Sequence, residues 1–149
     1  MELIRTNSNH TDFITLVKLL DSDLALRDGE DHAFYAQFNK IDMLKHVVVA
    51  YKDNIPVACG AIKSFNTTTV EVKRMYTTVS SRGQGLAFVV LTELEQWATE
   101  LNYTYCVLET GIKQPEAIAL YYKKGYNLIA NYGQYQGIEN SKCFKKHLI

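Results

Sequence analysis

Cysteine is scarce in this 149-residue chain, and what there is does not pair: Cys59, Cys106 and Cys143 are odd in number, widely spaced and never form a C-x-x-C. Neither a disulfide framework nor a zinc site is suggested, and the three read as buried free thiols. The four histidines, His10, His32, His46 and His147, include no pair at the i, i+4 spacing that sets two imidazoles on one helix face, so no metal is expected. Proline occurs twice, at Pro56 and Pro115, each where an element would begin. No repeat, low-complexity tract or Pro/Gly/Ser-rich linker divides the chain, and one domain over 1–149 is the expectation.

An excess of charge is also lacking. Sixteen basic residues face sixteen acidic ones, which leaves no extended basic face to neutralise a phosphate backbone, so nucleic acid is not an expected partner. Lys142, Lys145 and Lys146 read as a solvated strand end. The start, Met1 to Thr11, lacks the basic-then-apolar order of a signal peptide, and no apolar run approaches the ~20 residues that span a bilayer. A cytoplasmic protein with no membrane partner is expected. What is present, 47% hydrophobic and 21% charged residues, suits a globular domain that buries roughly 70% of its unfolded surface.

Hydrophobic spacing sets out the elements. Leu3 to Thr6 reads as a short strand. Phe13, Leu16, Val17, Leu20 and Leu24 recur at helical spacing and stop before Gly29. A second helix is expected from Phe34, Phe38 and Ile41, with Glu30 and Asp31 at its positive end. His46 to Tyr51 and Pro56 to Lys63 form a hairpin across a turn at 52–55. In Val70 to Thr77, the residues Val70, Val72, Arg74 and Tyr76 alternate with Glu71, Lys73, Met75 and Thr77, which predicts a third antiparallel strand. After the loop Ser80 to Gly85, a helix carries Leu86, Val90, Leu94, Trp97 and Leu101 on one face. Tyr103 to Glu109 reads as a strand parallel to the one before that helix. A last helix is marked by Pro115, Glu116, Lys123, Lys124 and Gly125, and Tyr126 to Ala130 with Lys142 to Leu148 closes the sheet as a hairpin. The fold class is α/β: a mixed, mostly antiparallel sheet flanked by helices around a central strand-loop-helix-strand unit.

Chemistry concentrates in Arg82-Gly83-Gln84-Gly85-Leu86-Ala87. A loop between strand and helix gathers unpaired backbone N–H groups at a helix N-terminus, which favours an anion, and small residues let a phosphate approach. Neither the G-x-x-x-x-G-K-[ST] of nucleotide triphosphate sites nor a G-x-G-x-x-G with a following acidic residue is present, so ATP and NAD are disfavoured. A glycine pair by itself supplies only permissive backbone angles.

In context, however, Arg82, Gly85 and Ala87 match R/Q-x-x-G-x-G/A. The run Gln114-x-x-Ala117-x-x-Leu120-Tyr121-x-Lys123-x-Gly125-Tyr126 matches N-x-x-A-x-x-L/F-Y-x-K-x-G-F, and Glu71-Val72-Lys73-Arg74-Met75-Tyr76 matches E-x-K-R-M/L-Y. In these blocks, and over essentially its whole length, the chain resembles the GNAT superfamily of acyl-CoA-dependent N-acyltransferases. It departs at Thr77 (where valine is common), Val79 (proline), Ala87 (glycine) and Gln114 (asparagine), and none of these removes a phosphate-binding amide.

The resemblance implies an N-acetyltransferase that uses acetyl-CoA as cosubstrate, with no metal. It places the pyrophosphate of coenzyme A on the backbone of Gly83, Gln84, Gly85, Leu86 and Ala87, with Arg82 as a side-chain contact. The pantetheine arm falls along the main chain of Met75, Tyr76 and Thr77, paired like an added strand and within reach of Gln114. Tyr121 is the candidate acid, since a phenol of pKa ~10 stays neutral while it protonates a thiolate of pKa ~8.5; its structural alternative is a core aromatic. Glu71 is the candidate base, against a solvated carboxylate paired with Lys73, and Glu109 is an equal competitor on position. The acceptor, a small-molecule or peptide amine, falls between the early helices and the last loop, near Glu30, Asp31, Tyr132, Gln134, Tyr135 and Glu139, none of which the sequence fixes as a site residue. The alternative function is a non-catalytic acyl-CoA-binding sensor or partner module. A homodimer stays open, for no apolar stripe marks an interface.

Overall fold

The computed structural model of the chain describes residues 1–29 and 43–149. The helix expected around Phe34, Phe38 and Ile41, with Glu30 and Asp31, lies outside the described residues. The elements are β1 (Glu2–Thr6), α1 (Thr11–Asp28), β2 (His46–Lys52), β3 (Ile55–Ser64), β4 (Thr69–Thr77), α2 (Leu86–Glu100), β5 (Tyr105–Gly111), α3 (Pro115–Lys123), β6 (Asn127–Ile129) and β7 (Ser141–His147).

The strands form one seven-stranded sheet in the order β1-β2-β3-β4-β5-β7-β6. Pairing is antiparallel except between β4 and β5, where the α2 crossover makes it parallel, as such a connection requires. The β2–β3 hairpin turns at Asp53 and Asn54, both at positive φ, the conformation that short polar residues tolerate best.

Alternation along the strands sends apolar side chains to both faces. On one face α2 and α3 cover Val48, Ile62, Val70, Val72, Leu108 and Phe144. On the other, Phe13, Leu16, Val17 and Leu20 of α1 pack on Val47, Val49, Cys59 and Tyr76. In α2 the buried stripe is Leu86, Val90, Leu91, Leu94 and Ala98. It excludes Leu101, which is partly exposed beyond the helix end, and it includes Glu95. That buried carboxylate accepts the Tyr126 hydroxyl at 2.8 Å and pairs with Lys146 at 2.9 Å and Lys124 at 3.3 Å, which offsets its burial. The helix α3 starts at Pro115 and stops where Gly125, at φ +88, lets Tyr126 N–H reach the Tyr121 carbonyl, a Schellman closure.

The simple alternation expected in β4 does not hold. Cys59 pairs with Tyr76 and Ala61 with Lys73, so Gly60 alone faces both Arg74 and Met75. This is a β-bulge, with Arg74 at φ +60, and its extra residue exchanges the two faces of the strand. Val70 and Val72 point toward α2, but beyond the bulge it is Met75 that does so, while Arg74 and Tyr76 turn toward α1.

Candidate active site

Parallel pairing of β4 with β5 covers only Thr69–Glu71 against Tyr105–Val107. Past that point β4 continues along β3 as far as Thr77, while β5 continues along β7 as far as Gly111. The two central strands therefore part, and among the described residues the β5-facing main chain beyond Glu71 has no strand partner.

The glycine loop lies at the open end. Gly83 and Gly85 sit at φ +81 and +77, and a Cβ on either would meet nothing within 4 Å. Glycine is needed there for the backbone angle, and open space adjoins it. The first α2-register bond is Val89 N–H to the Gly85 carbonyl at 3.1 Å, so the amides of Leu86, Ala87 and Phe88 have no acceptor within the helix. Among the described residues, Gly83, Gln84 and Gly85 donate no main-chain hydrogen bond either. The result is a cluster of outward N–H groups at a helix N-terminus.

Side chains fix this loop in place. Arg82 donates to the Thr77 carbonyl at 3.0 Å and to Asp23 of α1 at 3.2 Å, and its guanidinium lies over the Tyr76 ring. That engagement leaves it bracing β4 and the loop. Gln84 is exposed and accepts from Lys52 at 2.8 Å, outside the cavity lining, whereas the Leu86 side chain enters the core.

A cavity of about 330 Å³ opens where the strands part. Its lining includes Gly83, Gly85 and Ala87 of the glycine loop, Met75, Tyr76 and Thr77 of β4, Gln114 and Tyr121 of α3 and its start, and Glu71, Glu109 and Tyr135. Tyr121 is 5% exposed and stacks edge-on with Tyr126. Among the described residues its hydroxyl has no hydrogen-bond partner. Burial, with the negative charge of Glu109 adding to it, holds this phenol above its ordinary 10.0, so it stays protonated.

Glu71 and Glu109 leave the sheet on the face opposite α2, either side of the gap. Glu71 accepts from the Tyr132 hydroxyl at 2.7 Å and lies 3.6 Å from Lys73. Glu109 accepts from Ser141 at 2.7 Å. Burial and these carboxylates raise the phenols of Tyr132 and Tyr135. The structure thus brings together every residue expected at the coenzyme and catalytic positions except the Gln84 side chain. Glu30 and Asp31 of the expected acceptor region lie outside the described residues. Sequence reasoning did not single out Arg74, which alternation set on the wrong face, nor the lining that α1 supplies through Leu20 and Leu24. The available signal for the first was a lone arginine among apolar strand positions. Among the described residues no cluster of three or more His, Cys, Asp or Glu could hold a metal ion, and no helix is long and apolar enough to cross a membrane.

An "IAA acetyltransferase" of Azospirillum brasilense is 34% identical over 89 residues, which is 59% of this chain and 58% of that protein. A candidate acyl-CoA N-acyltransferase of Klebsiella pneumoniae superposes with a TM-score of 0.83 at 27% identity, covering 99% of this chain and 97% of its own. The PaiA N-acetyltransferase of Thermoplasma acidophilum, solved with coenzyme A, shares the fold at TM-score 0.72 and 14% identity over 98% of each chain. The sequence model of the acetyltransferase (GNAT) family matches residues 14–126. With a splayed parallel pair, a glycine loop at its open end and this match over most of its length, the chain belongs to the GNAT acetyltransferase family.

Proposed function

We propose that residues 1–149 act as one N-acetyltransferase domain that moves an acetyl group from acetyl-CoA to a primary amine by direct attack on the thioester. The observation that carries this reading is the continuity of one cavity from the free amides at Gly83–Ala87, past Tyr121, to Glu71 and Glu109. The fit to coenzyme A rests on those amides and on the open space beside Gly83 and Gly85, which together suit a pyrophosphate. The β5-facing main chain of Met75–Thr77, which no strand pairs with among the described residues although Arg82 takes the Thr77 carbonyl, suits an extended amide arm, and Gln114, at the start of α3, faces the same channel. Gln84 contributes main chain only, and Arg82 holds the loop's shape.

Acetyl-CoA, when bound, supplies an acetyl thioester whose carbonyl carbon forms the new C–N bond as its C–S bond breaks. Glu71, or Glu109 across the gap, takes the proton that the amine sheds, directly or through water. The Tyr121 hydroxyl gives its proton to the departing sulfur and regains one from solvent. Burial keeps that hydroxyl neutral and ready. It also weakens the phenol as an acid, a cost offset because the leaving thiolate is desolvated in the same cavity and becomes more basic there. The test is an assay of coenzyme A thiol release across an amine panel. The reading expects one thiol per acetylated amine; acetyl-CoA binding with no transfer to any amine would favour the non-catalytic module instead.

A further inference from the structure

We propose that Arg74 anchors a carboxylate on the acceptor, so that the substrate class is a small primary amine carrying a carboxylate, as an amino acid does. The proposal rests on the N-acetyltransferase reading above and narrows it.

Arg74 occupies the β4 bulge at φ +60, a strained angle for a side chain of its size. The bulge is what turns it toward α1, and the Cys59 thiol caps its carbonyl at 3.4 Å. The side chain is 3% exposed, and its Nη1 donates to Asp21 at 3.0 Å. Its Nη2 is buried with no hydrogen-bond partner among the described residues. A guanidinium offers five donors in a planar fork that matches a carboxylate with two parallel bonds. Asp21, 45% exposed at its side chain, engages Nη1 alone and leaves Nη2 to a further acceptor.

Arg74 lines the cavity together with Leu20 and Leu24 of α1, and Glu71 and Glu109 line the same cavity. The cavity therefore carries both signs: a cation with an unused donor on the α1 side, and two carboxylates by the gap. A zwitterion matches that layout, with its carboxylate on Arg74 and its amine held near Glu71 and Glu109, where it meets the thioester. A simple diamine would leave Nη2 unpaired and buried, which is the arrangement proteins avoid.

The experiment measures kcat/KM of the wild-type protein for α- and ω-amino acids, each against its own carboxamide, at saturating acetyl-CoA, with calorimetry of acetyl-CoA binding alongside. The proposal expects the acids to be preferred by about 100-fold, chiefly through KM, because a site built to pair a polar group rejects the analogue lacking it. Arg74→Met should erase that preference while acetyl-CoA affinity stays within about twofold. Carboxamides used as well as acids, or a protein that binds acetyl-CoA but acetylates no carboxylated amine, overturns the proposal and leaves the acetyltransferase reading standing or failing on its own assay. An Arg74→Met protein that loses acetyl-CoA binding assigns Arg74 to the coenzyme and also overturns it. Failure of the wild type to bind acetyl-CoA removes both readings. Should Arg74→Met not fold, the wild-type acid-to-amide ratio decides.

Discussion

The Tyr132 hydroxyl donates to Oε2 of Glu71 at 2.7 Å, tying the loop before β7 to the residue where β4 and β5 last pair. A phenol held protonated by burial and by this carboxylate is a dependable donor, and bonds to charged groups contribute more than neutral ones. Tyr132→Phe should lower unfolding stability by about 1–2 kcal/mol, read as a shifted urea midpoint at constant m. A midpoint equal to wild type would show that the hydroxyl contributes nothing.

Tyr121 must be protonated to serve as the acid, and burial holds it above 10.0. The kcat profile should therefore show no alkaline fall from this group through pH 10. Tyr121→Phe should lower kcat by about 10²–10⁴-fold with acetyl-CoA binding kept. An alkaline limb below pH 9 that disappears in Tyr121→Phe would contradict the assignment.

Gly60 stands opposite the bulge, where an added Cβ would come within 2.4 Å of the Met75 sulfur and 2.8 Å of Leu94 Cδ1. Gly60→Ala should destabilise by about 1–3 kcal/mol through overpacking. Met75 is flexible and could yield, but Leu94 is fully buried in the α2 face. A thermal scan with no loss in Tm would mean that the two strands shift together to make room.

That bulge also marks where reading the sequence fell short. Helices and strands were legible because their apolar spacing is set by local geometry: α1 ends at Gly29 and α3 begins at Pro115. A bulge leaves no period of its own, so Arg74, Met75 and Tyr76 fell on the wrong faces. Likewise the final hairpin was legible but not its order, with β7 inserted between β5 and β6, because strand order depends on pairing across the sheet. The glycine loop, Gln114 and Tyr121 were found through motif spacing. The ties from Arg82 to Asp23 and from Tyr132 to Glu71 span about 60 residues, and no local pattern encodes them.

Burial pushes the thiols of Cys59 and Cys106 from 9.0 up to about 12. The unfolded chain releases these protons from about pH 9 while the folded one holds them. Their contribution is thus whole below pH 9 and declines as pH rises toward 12, by about 1.4 kcal/mol per pH unit for each thiol. Urea midpoints at pH 8 and pH 10 should show this fall, and Cys59→Ala should make it shallower. Fast labelling of both thiols in the native protein at pH 8 by a disulfide reagent would contradict their burial.

The most direct test of the central claim is calorimetric titration with acetyl-CoA at fixed salt, using coenzyme A, ATP and NAD as comparators. Saturable binding of acetyl-CoA and coenzyme A alone is the expected result. In Gly85→Ala, whose backbone is held at φ +77, binding should weaken about tenfold or more as the amide cradle is displaced. Absence of acetyl-CoA binding, or binding untouched in Gly85→Ala, would contradict the account of the glycine loop as the coenzyme site.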